Sequence, residues 1–277
     1  MRTISVVLAL LLWSAPRLAA QVAVAPLIVV LDDHAPWGTF MVVNRSQTPQ
    51  AVTLGLRFGY PAPDSLGEQV MVYDSSHVEW SAAPWMRVFP RRLILPPGEQ
   101  QTVRLIAHPP ASLADGEYWT RLVTTSAPVN PPSVPTNVEG VTARVNFRLK
   151  QITTVLFRKG AASTSVSIGA VRAQADSAVL HVLVPMTRHG NAPFFGRTTL
   201  RVLDASGRSV AESTEQMDVY FGRLQRFSID ASKLPPGRYV AEVTVASERA
   251  DIPREELLHA EPVVRRVPFT ISAAGPG

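Results

Sequence analysis

The sequence predicts an all-β protein, two antiparallel β-sandwich domains behind a cleavable N-terminal signal. Short apolar runs rich in Val, Leu, Thr and aromatic residues recur along the chain, each bounded by Asp, Asn, Pro or Gly. Turn signals return at intervals of about ten residues, the rhythm of a sandwich. Only "REELLHAE", Arg254 to Glu261, has helical character, and briefly. The expected division is a signal peptide over residues 1–20, a first domain over 21–159 and a second over 160–277.

The first segment, "MRTISVVLALLLWSAPRLAA", joins a positive Arg2, an apolar core from Ile4 to Trp13 and the small-residue end Leu18-Ala19-Ala20, the three parts of a secretory signal. The core is too short to span a bilayer comfortably, and Pro16 and Arg17 end it. No other run reaches the roughly 18 apolar residues of a membrane helix, so the chain reads as a soluble exported protein bound for a periplasm. It has no cysteine, which excludes a disulfide framework, a thiolate metal site and a cysteine nucleophile. Stability must then come from buried apolar surface, and the chain left after cleavage is long enough for two such cores. Losing Arg2 and Arg17 with the signal lowers the formal net charge from +5 to +3. With its basic residues also dispersed, the protein is expected to bind no nucleic acid.

In chain order, "LIVVLDDHAPWGTFMVVN" and "AVTLGLRFGY" read as strands, separated by the turn "RSQTPQ". A further strand is expected over Val70 to Tyr73, followed by an exposed connection near Asp74 to Ser76. In "VFPRRLILPPGEQQTVRLIAHPP", Val103 and Leu105 alternate with Thr102 and Arg104, the period of a half-buried strand. "GEYWTRLVTTS" continues the style. "RKGAASTS", Arg158 to Ser165, is small and flexible enough for an interdomain hinge. The second domain repeats the pattern with "AVLHVLVPMTRHG", "GRTTLRVLDASGRSVAES" and "LPPGRYVAEVTVAS", the hairpin "LDASGR" turning at Ser206-Gly207. "LPPG" occurs at Leu95–Gly98 and again at Leu234–Gly237, each time entering an alternating strand, a weak sign of two related sandwiches.

Chemistry-bearing motifs are missing. His34, His77, His108, His181, His189 and His259 show no i, i+4 or His-x-His spacing, so no metal site is expected. There is no nucleophile elbow, Walker loop or G-x-G-x-x-G. The adjacent acids Asp32-Asp33 and Glu255-Glu256 would point to opposite faces of a strand and read as turn or surface groups. No catalytic residue, cofactor or small-molecule substrate is therefore assigned; a hydrolase would need residues gathered from distant loops.

One stretch stands apart. In "ARVNFRLKQ", Ala143 to Gln151, Val145, Phe147 and Leu149 alternate with Arg144, Asn146, Arg148 and Lys150, giving an extended chain one bulky apolar and one mostly basic face. It hangs from "SAPVNPPSVPTNVEG", a proline-rich loop over Ala127 to Gly140 that cannot be a strand interior and has few large apolar groups to pack.

Together, "FPRRLILPPGEQQTVRL", "GEYWTRL" and "ARVNFRLKQITTVLFRKG" resemble the periplasmic pilus chaperones of the chaperone-usher pathway. The family pattern of an apolar residue and then P-G-x-x-Q-x-V-R is met by Leu95, Pro97, Gly98, Gln101, Val103 and Arg104. A D-R-E strand start is met at Asp115 and Glu117, with Gly116 in place of the arginine. The likeness spans Val22 to Lys159. It implies two immunoglobulin-like domains at an angle, with Val145, Phe147 and Leu149 on a strand donated to the incomplete sandwich of a pilin or fibre subunit, and an outer-membrane usher as the second partner. Backbone hydrogen bonds would give generic affinity and side-chain pockets selection. Such an edge also invites self-association.

Glu117 and Arg158 match a family ion pair that links the domains. The family's anchors for the subunit's terminal carboxylate fall near Thr154 and Ile28, neither of them basic. Arg148, Lys150 or Arg158 is left to provide that charge from a shifted register. The second domain departs from the usual chaperone pattern and is immunoglobulin-like by strand rhythm alone. The plainer alternative is an exported structural or adhesive two-sandwich protein with no client. In that protein Val145, Phe147 and Leu149 would lie in a complete core, with Arg144, Arg148 and Lys150 as its solvated face.

Overall fold

The computed structural model describes residues 22–64, 68–73, 75–130, 147–175 and 178–272, and the signal expected over 1–20 lies outside them. Nearly every element is a strand. One sheet runs β1 (Val22–Ala25), β3 (Trp37–Asn44), β9 (Gln100–Ala107), β7 (Met86–Phe89). The facing sheet runs β2 (Ile28–Asp32), β11 (Leu149–Lys159), β10 (Gly116–Pro128), β4 (Gln50–Arg57), β8 (Arg92–Leu95). All pairs are antiparallel except β2 with β11. β9 shows why the strands form. Gly98, at φ +76°, takes a left-handed turn position that other residues resist, and the chain then buries Val103 and Leu105 while exposing Thr102 and Arg104. Those two side chains meet Phe40, Val42, Leu122 and Phe157 in the first core.

The second sandwich has its own core, which includes Leu180, Val182, Leu200, Val202 and Phe227. One sheet runs β12 (Thr164–Ile168), β14 (Val179–Gly190), β13 (Arg172–Ala175), with β17 (Gly222–Asp230) also on β14. The other runs β16 (Ser209–Val219), β15 (Phe194–Leu203), β18 (Gly237–Ala246), β19 (Val263–Ile271). The β15–β16 hairpin turns at Gly207, φ +82°, where the Asp204 carboxylate accepts from the Ser206 and Arg208 amides.

Both sandwiches are immunoglobulin-like, and both carry the tyrosine corner of that architecture. Tyr118 donates its hydroxyl hydrogen to the Ala114 carbonyl, and Tyr239 donates to that of Pro235. The sequence repeat between the domains is therefore Gly116-Glu117-Tyr118 against Gly237-Arg238-Tyr239. The two "LPPG" segments are not equivalent: the first turns β8 into β9, whereas the second leads into β18.

Three expectations change. Arg254 to Glu261 is not helical. Only one turn forms, with the Glu256 and Leu257 amides on the Pro253 carbonyl; eight residues are too few to offset helix nucleation, and Leu257 packs instead between the domains. The strand expected over Val70 to Tyr73 is β6 (Gln69–Val72), paired with β5 (Tyr60–Pro63) in a hairpin outside both sandwiches. The loop expected from Ala127 begins later, because β10 continues through Pro128 on the β4 side. Proline is tolerated there at a strand end with β4 alone beside it among the described residues.

A third apolar cluster joins the sandwiches. Phe58, Tyr60, Trp119 and Leu156 come from the first, and Phe195, Tyr220 and Ile252 from the second. The Trp119 and Tyr220 ring centroids lie 4.8 Å apart, and those of Tyr60 and Phe221 4.9 Å.

Candidate functional site

The donor segment divides at the limit of the described residues. Val145, like most of the proline-rich loop, lies outside them. Phe147 is 70% exposed and belongs to no strand, and Leu149, half-buried, is the first residue of β11. The ladder between β10 and β11 closes at Ser126↔Leu149. Two pairs further in register would set Phe147 opposite Pro128, which has no N–H to donate. The expected alternation thus ends in irregular chain at Phe147.

Among the described residues, β11 is open on its other edge along Leu149 to Thr153. β2 covers it only from Thr154↔Ile28 to Arg158↔Asp32, the Thr154 amide bonding the Leu27 carbonyl. Successive amides of a strand point to alternate sides, so those of Lys150 and Ile152 face the side that β2 leaves uncovered. Ile152 and Leu27 are exposed beside this edge. The side chains of Phe147, Leu149, Gln151 and Thr153 share strand parity with Val155 and Phe157 of the first core.

On the opposite parity, three cross-strand pairs line the junction with the second sandwich: Glu117↔Arg158, Trp119↔Leu156 and Arg121↔Thr154. Arg158 Nε and Nη2 donate to Glu117 Oε2 at 2.9 and 2.8 Å, and Nη2 also donates to the Glu256 carbonyl at 2.7 Å. The pair expected from the sequence is thus in contact and reaches the second domain through backbone. Glu117 is 1% exposed, and its burial raises the carboxyl pKa above the ordinary value despite Arg158. Burial, with Glu255 adding repulsion, raises that of Glu256 as well.

Arg121 is the residue that sequence reasoning missed. It is 2% exposed, donating from Nε to the Gly59 carbonyl at 3.0 Å and from Nη1 to Thr154 Oγ1, with its guanidinium 4.7 Å from the Tyr220 ring centre. No carboxylate is among these partners, and Nη2 has no hydrogen-bond partner among the described residues. A buried guanidinium without a counter-ion is costly. Thr154 and Ile28, the positions aligned with the family's carboxylate anchors, are paired with each other, and Arg121 reaches Thr154 from β10. Lys150 and Arg148 lie four and six residues up the chain from Thr154, about 13 and 20 Å along an extended strand, and both are exposed. The available signal was parity: Arg121 shares a face with Glu117.

The segment read as a hinge is tied down. The Asn191 amide nitrogen donates to the carbonyls of Asp115 and Ala161 at 3.0 Å each, and its oxygen accepts from the Ser163 amide at 2.8 Å. Asp115 accepts from the Ala161 amide and Asp33 from that of Gly160. Among the described residues no group of three His, Cys, Asp or Glu could hold a metal ion.

No protein-family model matches the chain, and no curated protein matches it in sequence. Solved structures resemble it in their three-dimensional arrangement. One is a chain of the CsuC–CsuE chaperone–tip adhesion subunit pre-assembly complex from the archaic chaperone-usher Csu pili of Acinetobacter baumannii, at 14% identity and TM-score 0.46, covering 89% of this chain and 98% of that one. In fold, the chain is similar to pilus chaperones. The YadV chaperone matches at 12% identity and TM-score 0.46, with 89% of this chain and 100% of that one covered. A chain of the Salmonella enterica SafA pilin–SafB chaperone complex matches at 14% and 0.41, with 89% and 96% covered.

Proposed function

We propose that the protein is a periplasmic chaperone for a pilus or surface-fibre subunit. It completes the subunit's sandwich with the strand that ends in β11 and delivers the subunit to an outer-membrane usher; it acts by binding, not catalysis. The observation that carries this reading is the open edge of β11 from Leu149 to Thr153, with exposed Phe147 at its mouth and β2 only beyond it. An unpaired strand edge next to exposed apolar side chains is a template for another chain's strand. In this reading Arg121 takes the part that the aligned positions Thr154 and Ile28 lack: its guanidinium, buried in the free protein beside Thr154, meets the client's terminal carboxylate once binding uncovers it. Glu117, Arg158 and the Asn191-bound linker hold the two domains, with their boundary at residues 159 and 160, at a fixed angle beside that site. The test is co-expression with a subunit gene from the same neighbourhood. The two proteins should coelute on size exclusion, and Phe147→Asp should abolish coelution while leaving the chaperone soluble. A neighbourhood with neither usher nor subunit, or a variant that coelutes unchanged, contradicts the reading.

A further inference from the structure

The outer face of the sheet β1-β3-β9-β7 breaks the usual division of a sandwich strand into apolar inside and polar outside. Register gives its outward rows. Trp37, Ile106 and Arg87 lie side by side, then Thr39, Arg104 and Phe89, and Met41 follows on β3. Trp37 is 58% and Phe89 53% exposed, so nothing among the described residues covers them. The Arg104 guanidinium lies 5.9 Å from the Trp37 ring centre, and Arg87 is steadied by the Pro84 and Met86 carbonyls. No outward position on the four strands is acidic. Exposed aromatic side chains beside arginine, without lysine, are the composition of a binding hot spot.

We propose that this face docks an acidic polypeptide segment, its carboxylates meeting Arg87 and Arg104 and its apolar side chains covering Trp37 and Phe89. Charge selects this occupant. A second copy of the same face would set arginine against arginine, and the two cations fall short of the roughly four to eight that a polybasic lipid-binding cluster uses. The surface belongs to the sheet opposite β11, so it stands independently of the strand-donation reading.

The probe is a fluorescein-labelled peptide alternating Glu with Leu and Phe, with a Lys-alternating peptide as control, titrated by anisotropy into the full chain at low and high salt. The Glu peptide should bind and weaken with salt, whereas the Lys peptide should not bind. Trp37→Ala and Arg104→Glu should each weaken binding by about tenfold or more with little change in the unfolding midpoint, since both side chains are exposed. Phe147→Asp should leave binding unchanged; if it alone removes binding, the peptide sits on the β11 edge and the proposal fails. It fails equally if the two peptides bind alike, if neither binds, if anionic phospholipid vesicles retain the protein through Trp37, or if sedimentation shows self-association that Arg104→Glu abolishes.

Discussion

Replacing Phe147 by Asp separates a donated strand from a completed core. Phe147 is 70% exposed, so of the roughly 200 Å² a phenylalanine can bury only about 60 Å² is covered in the free protein. At about 25 cal/mol per Å² that is at most ~1.5 kcal/mol, a fall in midpoint of no more than about 6 °C for a sandwich of this size. Phe157, ten residues further along the chain in the first core and fully buried, is the internal comparison. Phe157→Asp loses about 3–5 kcal/mol of packing and buries a carboxylate as well, so it should unfold the domain. Against a client the order changes: Phe147→Asp forces a charge into an apolar pocket and should weaken binding by several kcal/mol, more than about 100-fold. Thermal unfolding of both isolated variants, followed by titration of Phe147→Asp with the subunit, reads all three numbers. A collapse of the isolated Phe147→Asp protein, or unimpaired client binding by it, would refute the reasoning.

Arg121→Met should leave the free protein about as stable or slightly more so, because it removes a buried unpaired charge while the Gly59 carbonyl keeps Trp119 Nε1 as donor. Affinity for a client should fall by about 2–5 kcal/mol, and isothermal titration showing no loss would remove Arg121 from the site. Glu117 binds more protons folded than unfolded between its ordinary value of 4.5 and the higher folded one. Its contribution to stability is therefore complete below 4.5 and is lost as pH rises through the folded value. Denaturant titrations from about pH 4 to pH 8 should accordingly show Glu117→Gln gaining on the wild type as pH rises; the opposite trend contradicts the burial argument. Asn191→Ala removes the ties among Asp115, Ala161 and Ser163, costing about 1–3 kcal/mol. Small-angle scattering should then show a wider spread of interdomain geometry, and an unchanged profile would mean that the aromatic junction, Arg158 on the Glu256 carbonyl and the Glu117 amide on the Asn191 carbonyl fix the domains without that side chain.

What the sequence disclosed depended on range. Strand parity is local, so Val103 and Leu105 announce their burial without any knowledge of the partner strand. Glu117 and Arg158 were found through a family pattern that carries long-range information. Arg121 was not, because its meaning comes from Thr154 on the next strand and from Tyr220 in the other sandwich. Asn191 escaped for the same reason: its partners at Asp115 and Ala161 are remote in sequence. Arg254 to Glu261 misled in the other direction, since its local helical composition yields a single turn on the Pro253 carbonyl, too short to propagate, while Leu257 packs between the domains. The irregular chain at Phe147 also needs register, which alone shows Pro128 opposite.

Amide hydrogen exchange along β11, with and without a bound subunit, tests the central claim most directly. The Thr154 amide, already bonded to the Leu27 carbonyl, should be protected in both states. The amides of Lys150 and Ile152, on the edge that β2 leaves uncovered, should exchange rapidly in the free protein and become protected when the subunit's strand pairs there. Protection of Lys150 and Ile152 in the free monomer, or exchange unaltered by a subunit that binds, would contradict the account.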